Sequence, residues 1–149
     1  NLEILGLSDL LIDIYTSKRI KILGICLGMQ LLALSSQEGG FSKGLGLIPG
    51  EIVSLEKLGA LRLPHIGFNE VSMPSNSVLG GSSNTSQDFY FVHSYCLSTS
   101  ITNNAKIGIT EYGQNFISLY EMDPIYATQF HPEKSQTNGL YLIKSFLEL

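Results

Sequence analysis

Cysteine is scarce in this 149-residue chain: Cys26 and Cys96 are the only two, and no CxxC pair occurs. That excludes a disulfide framework and offers no zinc-ribbon spacing, so a reducing, cytoplasmic compartment fits. Charge is sparse too, at 15% of residues with a net charge of −4 and no run of Lys or Arg. A nucleic-acid partner needs a basic face, so that class is set aside. No apolar stretch reaches the roughly 20 residues of a membrane span, and no signal-peptide pattern is visible. The triplet Asn84-Thr85-Ser86 therefore reads as ordinary loop. Repeats and linkers are absent as well. What remains is 44% hydrophobic, enough for one domain, residues 1–149, with a sizeable core. The chain opens at Asn1 rather than Met, directly in an apolar pattern, and so is expected to be a piece of a longer chain.

The segment Lys-Ile-Leu-Gly-Ile-Cys-Leu-Gly-Met-Gln-Leu-Leu, residues 21–32, organises the rest. It reads as strand, sharp turn and helix, with Cys26 at the turn and Gly24 and Gly28 two residues away on either side. This is the G-x-nucleophile-x-G form of a nucleophile elbow, with Cys in place of Ser. Glycines are expected there because strand and helix backbones approach closely. At a helix N-terminus the Cys26 sulfur would meet the positive end of the dipole, which lowers a thiol pKa. The pentapeptide alone fits equally well a buried cysteine at a plain βα turn.

Ahead of it, Leu2, Ile4 and Leu5 look like a helix tail stopped by Gly6. Ser8 is a candidate N-cap for a helix of about ten residues with Leu7, Leu11 and Ile14 on one face. The helix after Cys26 is expected to run to Gly39-Gly40. The glycine-rich passage 44–50 follows a helix and precedes a strand-like segment, 51–55. A phosphate-binding loop has the opposite order, so no nucleotide cofactor is read from it. Strands are expected at 66–71, 88–97, 106–111, 115–121 and 125–130, with a Ser/Asn/Gly-rich loop over 74–88. In 88–97, Tyr90, Val92, Ser94 and Cys96 share one face. A closing helix over 137–148 would turn Leu140, Ile143, Phe146 and Leu147 inward. This order suggests an α/β domain whose sheet carries an antiparallel extension.

His131-Pro132-Glu133 follows the last strand. Proline holds its predecessor extended, so His131 and Glu133 can project to similar sides. A carboxylate beside an imidazole fixes its tautomer, which is what a base serving a cysteine nucleophile requires. Taken alone, the tripeptide also fits a surface loop. A zinc site built from His65, His93, His131 and Glu133 is disfavoured, because no two histidines stand at helical spacing.

Together the motifs GICLGMQLL, LPHIGFNEV, FVHSY and QFHPEKSQ, in that order, resemble the triad-type (class I) glutamine amidotransferases. They are most similar to the glutaminase subunits of imidazole glycerol phosphate synthases. The resemblance implies a flavodoxin-like three-layer α/β fold that lacks its N-terminal strands here, together with the loop giving a second oxyanion donor. It implies no cofactor and no metal. Cys26 would form a glutamyl thioester, His131 would move protons, Glu133 would orient His131, and the Leu27 N–H would face the oxyanion. Gln30, Ser94 and Tyr95 match positions that hold L-glutamine. Phe68, where the family often carries tryptophan, and Lys134 match positions near a (β/α)₈-barrel cyclase that takes the ammonia in a heterodimer. One alternative is ammonia supply to a sugar amidotransferase in surface-polysaccharide synthesis. A thiol hydrolase or a non-catalytic subunit of the same fold is another.

Overall fold

The computed structural model describes residues 6–60, 62–81, 86–101 and 103–149. The proposed helix tail at Leu2–Leu5 and the first two residues of the Asn84-Thr85-Ser86 triplet lie outside them. Eleven residues, Leu7–Ser17, form α1. Its N-cap position is Gly6 rather than Ser8, since Gly6 takes the left-handed conformation (φ 66°) and no side chain caps the helix. None of its residues is fully buried; of the face formed by Leu7, Leu11 and Ile14, Leu7 is exposed and the other two are half-buried.

Strand β1 (Ile22–Ile25) leads into α2 (Leu27–Leu32), which is only six residues long. It stops well short of Gly39-Gly40 because the chain turns extended at Ala33 and enters β2 (Ala33–Ser36). Short apolar runs do not distinguish helix from strand by periodicity. After β3 (Ser42–Lys43), the glycine-rich passage folds back on α2 and β2. The N–H groups of Gly44, Leu45, Gly46 and Leu47 donate to the carbonyls of Leu34, Leu31, Ala33 and Leu32. Its amides are thus committed to the chain itself.

The remaining strands are β4 (Ile48–Ser54), β5 (His65–Ser72), β6 (Ser86–His93), β7 (Tyr95–Leu97), β8 (Lys106–Tyr112), β9 (Gln114–Met122) and β10 (Ile125–Thr128). The expected strand 88–97 is broken at Ser94, so alternation does not run through it. Phe89, Phe91 and His93 are buried, and after the break Cys96 and Leu97 are both buried. All ten strands among the described residues join one sheet, in the order β3-β2-β4-β7-β9-β8-β5-β6, with β10 beside β9 and β1 beside β10. β1 pairs parallel with β10, Ile25 opposite Thr128, while most other pairings are antiparallel.

Strand β9 is buried from Phe116 to Glu121 and feeds two cores. Phe116 and Leu119 join Phe89, Phe91, Phe130 and Leu142; Ile117 and Tyr120 join Met29, Leu32, Ile52 and Ala127. The buried Glu121 accepts hydrogen bonds from Ser77 Oγ (2.6 Å), Val78 N (3.1 Å) and Leu79 N (2.9 Å), tying that turn to the sheet. The last helix, α3 (Gln136–Leu147), buries Gly139 and Leu142. Leu140 and Leu147, expected inward, are 68% and 77% exposed. A Cβ on Gly139 would overlap the Pro132 carbonyl, and that close approach selects the buried face. No helix among the described residues is long and apolar enough to cross a membrane.

Candidate active site

Cys26 stands between β1 and α2 with φ 48° and ψ −103°. A non-glycine residue holds such a backbone only when its surroundings over-determine it. Here they do: the Cys26 N–H donates to Thr128 O at 2.7 Å, and the Cys26 carbonyl accepts from Gln30 N at 3.2 Å. The side chain is thereby lifted out of the strand, over the carboxyl ends of β1 and β10. Only one of the two flanking glycines is sterically required. A Cβ on Gly24 would stand 2.6 Å from Leu32 Cδ1 and 2.9 Å from the Gly28 carbonyl carbon, whereas one on Gly28 would meet nothing.

The helix end does not win the electrostatic contest at the sulfur. Burial pushes the Cys26 thiol up from its ordinary value; the Leu27 amide and the Gln129 carboxamide oppose this, and the charges of Glu133 and Glu38 add to it. A six-residue helix has little dipole to offer. The resting group is a thiol, so a base is needed to make it a nucleophile.

His131 follows β10 by three residues, extended at φ −100°, ψ 95°, and its N–H donates to Tyr90 O at 2.8 Å. Residues Pro132–Lys134 form a 3₁₀ turn rather than continuing extended. The turn still brings Glu133 Oε1 to 2.7 Å from His131 Nδ1. An ionised carboxylate only accepts, so Nδ1 carries the hydrogen and Nε2 keeps the lone pair. The buried Ser135 fixes this turn: its Oγ donates to His131 O (2.6 Å) and accepts from Tyr90 N (2.9 Å). The parallel β1–β10 pairing sets the end of β1, where Cys26 stands, beside the strand that leads to His131 and Glu133, and the field of Glu133 reaches the Cys26 sulfur.

Beside the elbow is a cleft of about 270 Å³ lined by Leu27, Gln30, Leu31, Ser36, Glu38, Ser42, Lys43 and Gly44. Gln30 is buried, and its Nε2 donates to Tyr95 O (3.2 Å) and, at 3.4 Å, to Gln129 Oε1. Gln129 Nε2 in turn donates to Cys26 Sγ at 3.6 Å. Tyr95 is thus brought to the site through its carbonyl. Ser94 lies at the break between β6 and β7, its carbonyl accepting from Leu55 N. Gln129 and Glu38 went unassigned in the sequence. Gln129 is adjacent to the histidine motif, but only the β1–β10 register brings it to the sulfur.

Residues 7–149 match the class-I glutamine amidotransferases. The chain belongs to that family. This amidotransferase is 41% identical to imidazole glycerol phosphate synthase subunit HisH 1 of Campylobacter jejuni (strain 81-176), over 100% of this chain and 73% of that protein. It is 44% identical to subunit HisH 1 of Parasynechococcus marenigrum over 99% of this chain and 71% of that one. Among solved structures, a glutamine amidotransferase aligns with TM-score 0.71 at 16% identity, over 99% of this chain and 69% of that chain. Another, from Thermotoga maritima, aligns with TM-score 0.60 at 16% identity, over 95% of this amidotransferase and 52% of that chain. These likenesses establish the flavodoxin-like α/β fold.

Phe68 and Lys134 stand outside the Gln30–Gln129–Cys26 hydrogen-bond chain, on β5 and the 3₁₀ turn. Phe68 is 50% exposed on the outer face of β5, edge-on to Tyr90 at 5.6 Å. Ile66 and Val92, paired across β5 and β6, are exposed with it, and Lys134 is exposed on the 3₁₀ turn.

Proposed function

We propose that this amidotransferase is the glutaminase subunit of an imidazole glycerol phosphate synthase, hydrolysing L-glutamine to glutamate and ammonia for histidine biosynthesis. The observation that carries this reading is 41–44% identity, along nearly the whole chain, to relatives that bear that one name. The mechanism runs through Cys26, His131 and Glu133. His131 Nε2 takes the Cys26 proton, and the sulfur attacks the side-chain amide carbon of glutamine. The developing oxyanion accepts from the Leu27 N–H. His131 returns the proton to the departing nitrogen, ammonia leaves, and a glutamyl thioester remains. A water that gives its proton to His131 then cleaves the thioester, releasing glutamate and restoring the thiol. Glu133 holds the imidazole in the tautomer this requires and stabilises the imidazolium.

Gln30, Ser94 and Tyr95 bind the substrate. Glu38, whose carboxylate opens on the same cleft, is the group suited to the α-ammonium of glutamine. The exposed Ile66, Phe68 and Val92, with Lys134 nearby, form the docking face for a (β/α)₈-barrel cyclase, in a cytoplasmic heterodimer. The lyase step belongs to that partner. The test is ammonia release from glutamine with and without the cyclase and its ligand. Hydrolysis should rise with the partner, and Cys26→Ala should abolish it without loss of fold. Equal rates at saturating cyclase would sink the coupling, and undiminished turnover by Cys26→Ala would sink the assignment.

A further inference from the structure

Two histidines take no part in the chemistry above, yet all four of their ring nitrogens are engaged. His65 and His93 lie opposite each other on β5 and β6, both buried. His65 Nδ1 is 3.0 Å from His93 Nε2, His65 Nε2 is 3.2 Å from Asn69 Nδ2, and His93 Nδ1 is 2.8 Å from Tyr95 O. The ends of this chain fix its direction. Asn69 Oδ1 accepts from Glu70 N while its Nδ2 also donates to Glu111 O, so the amide cannot be turned round. Tyr95 O can only accept. His65 Nε2 must therefore accept, and His65 Nδ1–H must donate to His93 Nε2. His93 Nδ1–H then donates to the Tyr95 carbonyl. An added proton on either ring would set two donors against each other. That agrees with burial lowering both pKa values to about 4.

The surroundings do not themselves call for imidazoles. His65 is stacked between Phe91 (4.7 Å) and Tyr112 (4.0 Å), and His93 tilts against Phe116 at 5.3 Å. An all-aromatic cluster would fill that space without burying polar nitrogens, which costs free energy unless each is paired. What the polar chain adds lies at its end. The Tyr95 carbonyl that receives the His93 N–H is the same oxygen that receives Gln30 Nε2. With both Gln30 amide hydrogens committed, to Tyr95 O and to Gln129 Oε1, its Oε1 is the atom left to offer a ligand.

We propose that His93, oriented by His65 and Asn69, is a positioning residue: it fixes the Tyr95 carbonyl and through it the Gln30 carboxamide, presenting Gln30 Oε1 to an N–H donor of glutamine. This rests on the glutaminase reading. The relay acts on substrate binding rather than on the thioester chemistry, so its signature is in KM.

The experiment uses the full protein with glutamine as probe. His93→Phe should raise KM about three- to tenfold, the worth of one net hydrogen bond, with kcat within about twofold. His93→Asn, whose Nδ2 stands where Nδ1 stood, should restore KM to within about twofold of the parent. On a Gln30→Ala background His93→Phe should add less than about twofold, because both act on one contact. Imidazole ¹⁵N shifts of the parent should show His65 and His93 both as Nδ1–H tautomers. An unchanged KM, a loss confined to kcat, additive effects of the two substitutions, or an Nε2–H tautomer at either ring would overturn the proposal. Should His93→Phe not fold, the tautomer spectrum decides. Absence of glutamine hydrolysis in the parent with the cyclase and its ligand present would count against the glutaminase reading instead, and the tautomer spectrum would still report on the relay.

Discussion

Gly24→Ala and Gly28→Ala are one methyl each, on the two glycines that flank Cys26 symmetrically, and they are expected to behave in opposite ways. A Cβ on Gly24 would sit 2.6 Å from Leu32 Cδ1, 2.9 Å from Gly28 C and 3.0 Å from Gly28 O. Carbon atoms rest at about 3.5–4.0 Å, so roughly 0.6–1.4 Å of separation must be found. Leu32 is packed in the core and two of the three atoms are backbone, so α2 itself has to move. Overpacking of this kind costs about 1–3 kcal/mol. Because α2 begins at Cys26, the same movement displaces the sulfur and the Leu27 N–H, and a misplacement near 1 Å costs about 10²-fold in rate. A Cβ on Gly28 meets nothing, and alanine in a helix is favoured over glycine by up to about 1 kcal/mol. Urea unfolding followed by circular dichroism gives both stabilities on one scale. Gly28→Ala should be neutral or stabilising, and Gly24→Ala should lose stability and most turnover together. If Gly28→Ala proves the more destabilising, the packing account of the elbow is wrong.

Ser135→Ala removes the acceptor of the Tyr90 N–H and the donor to the His131 carbonyl. It should cost about 1–3 kcal/mol in urea unfolding and lower kcat more than it raises KM; a cost below about 0.5 kcal/mol would contradict the role given to that hydroxyl. Stability should also fall with acid. His65 and His93 have folded pKa values lowered to about 4 from 6.5, so below pH 6.5 the unfolded chain binds protons that the folded chain refuses. Their contribution is whole above pH 6.5 and lost as pH falls toward 4, at about 3 kcal/mol per histidine. Unfolding midpoints between pH 7 and 5 check the sign, and a flat profile would contradict it.

The parts of the candidate site that the sequence displays are local. The glycine-flanked Cys26 and the two-residue spacing of His131 and Glu133 can be read from short stretches. So can the apolar, β-branched segments that became β5, β8 and β9. What stayed hidden depends on distant partners. The Gln129 bond to Cys26 spans 103 residues, the His65–His93 pair 28, and the Glu121 clasp on Ser77 44. Polar residues within strands carry no local sign of what they will face. Leu140 and Leu147 fit an inward helical stripe by spacing, but the docking of Gly139 on Pro132 rotates α3 to a different face. The thiol at Cys26 shows a related limit: the helix dipole is visible in the pattern, whereas the burial that outweighs it depends on the assembled sheet.

The central claim is that Cys26, and not the buried Cys96 whose thiol burial pushes up to about 12, attacks glutamine. The most direct measurement is peptide mapping by mass spectrometry after reaction with a glutamine analogue that carries an electrophilic carbon at the amide position. The account predicts a single adduct on Cys26, with glutamine protecting against its formation. An adduct on Cys96, or full glutamine turnover after Cys26 has been completely modified, would contradict it.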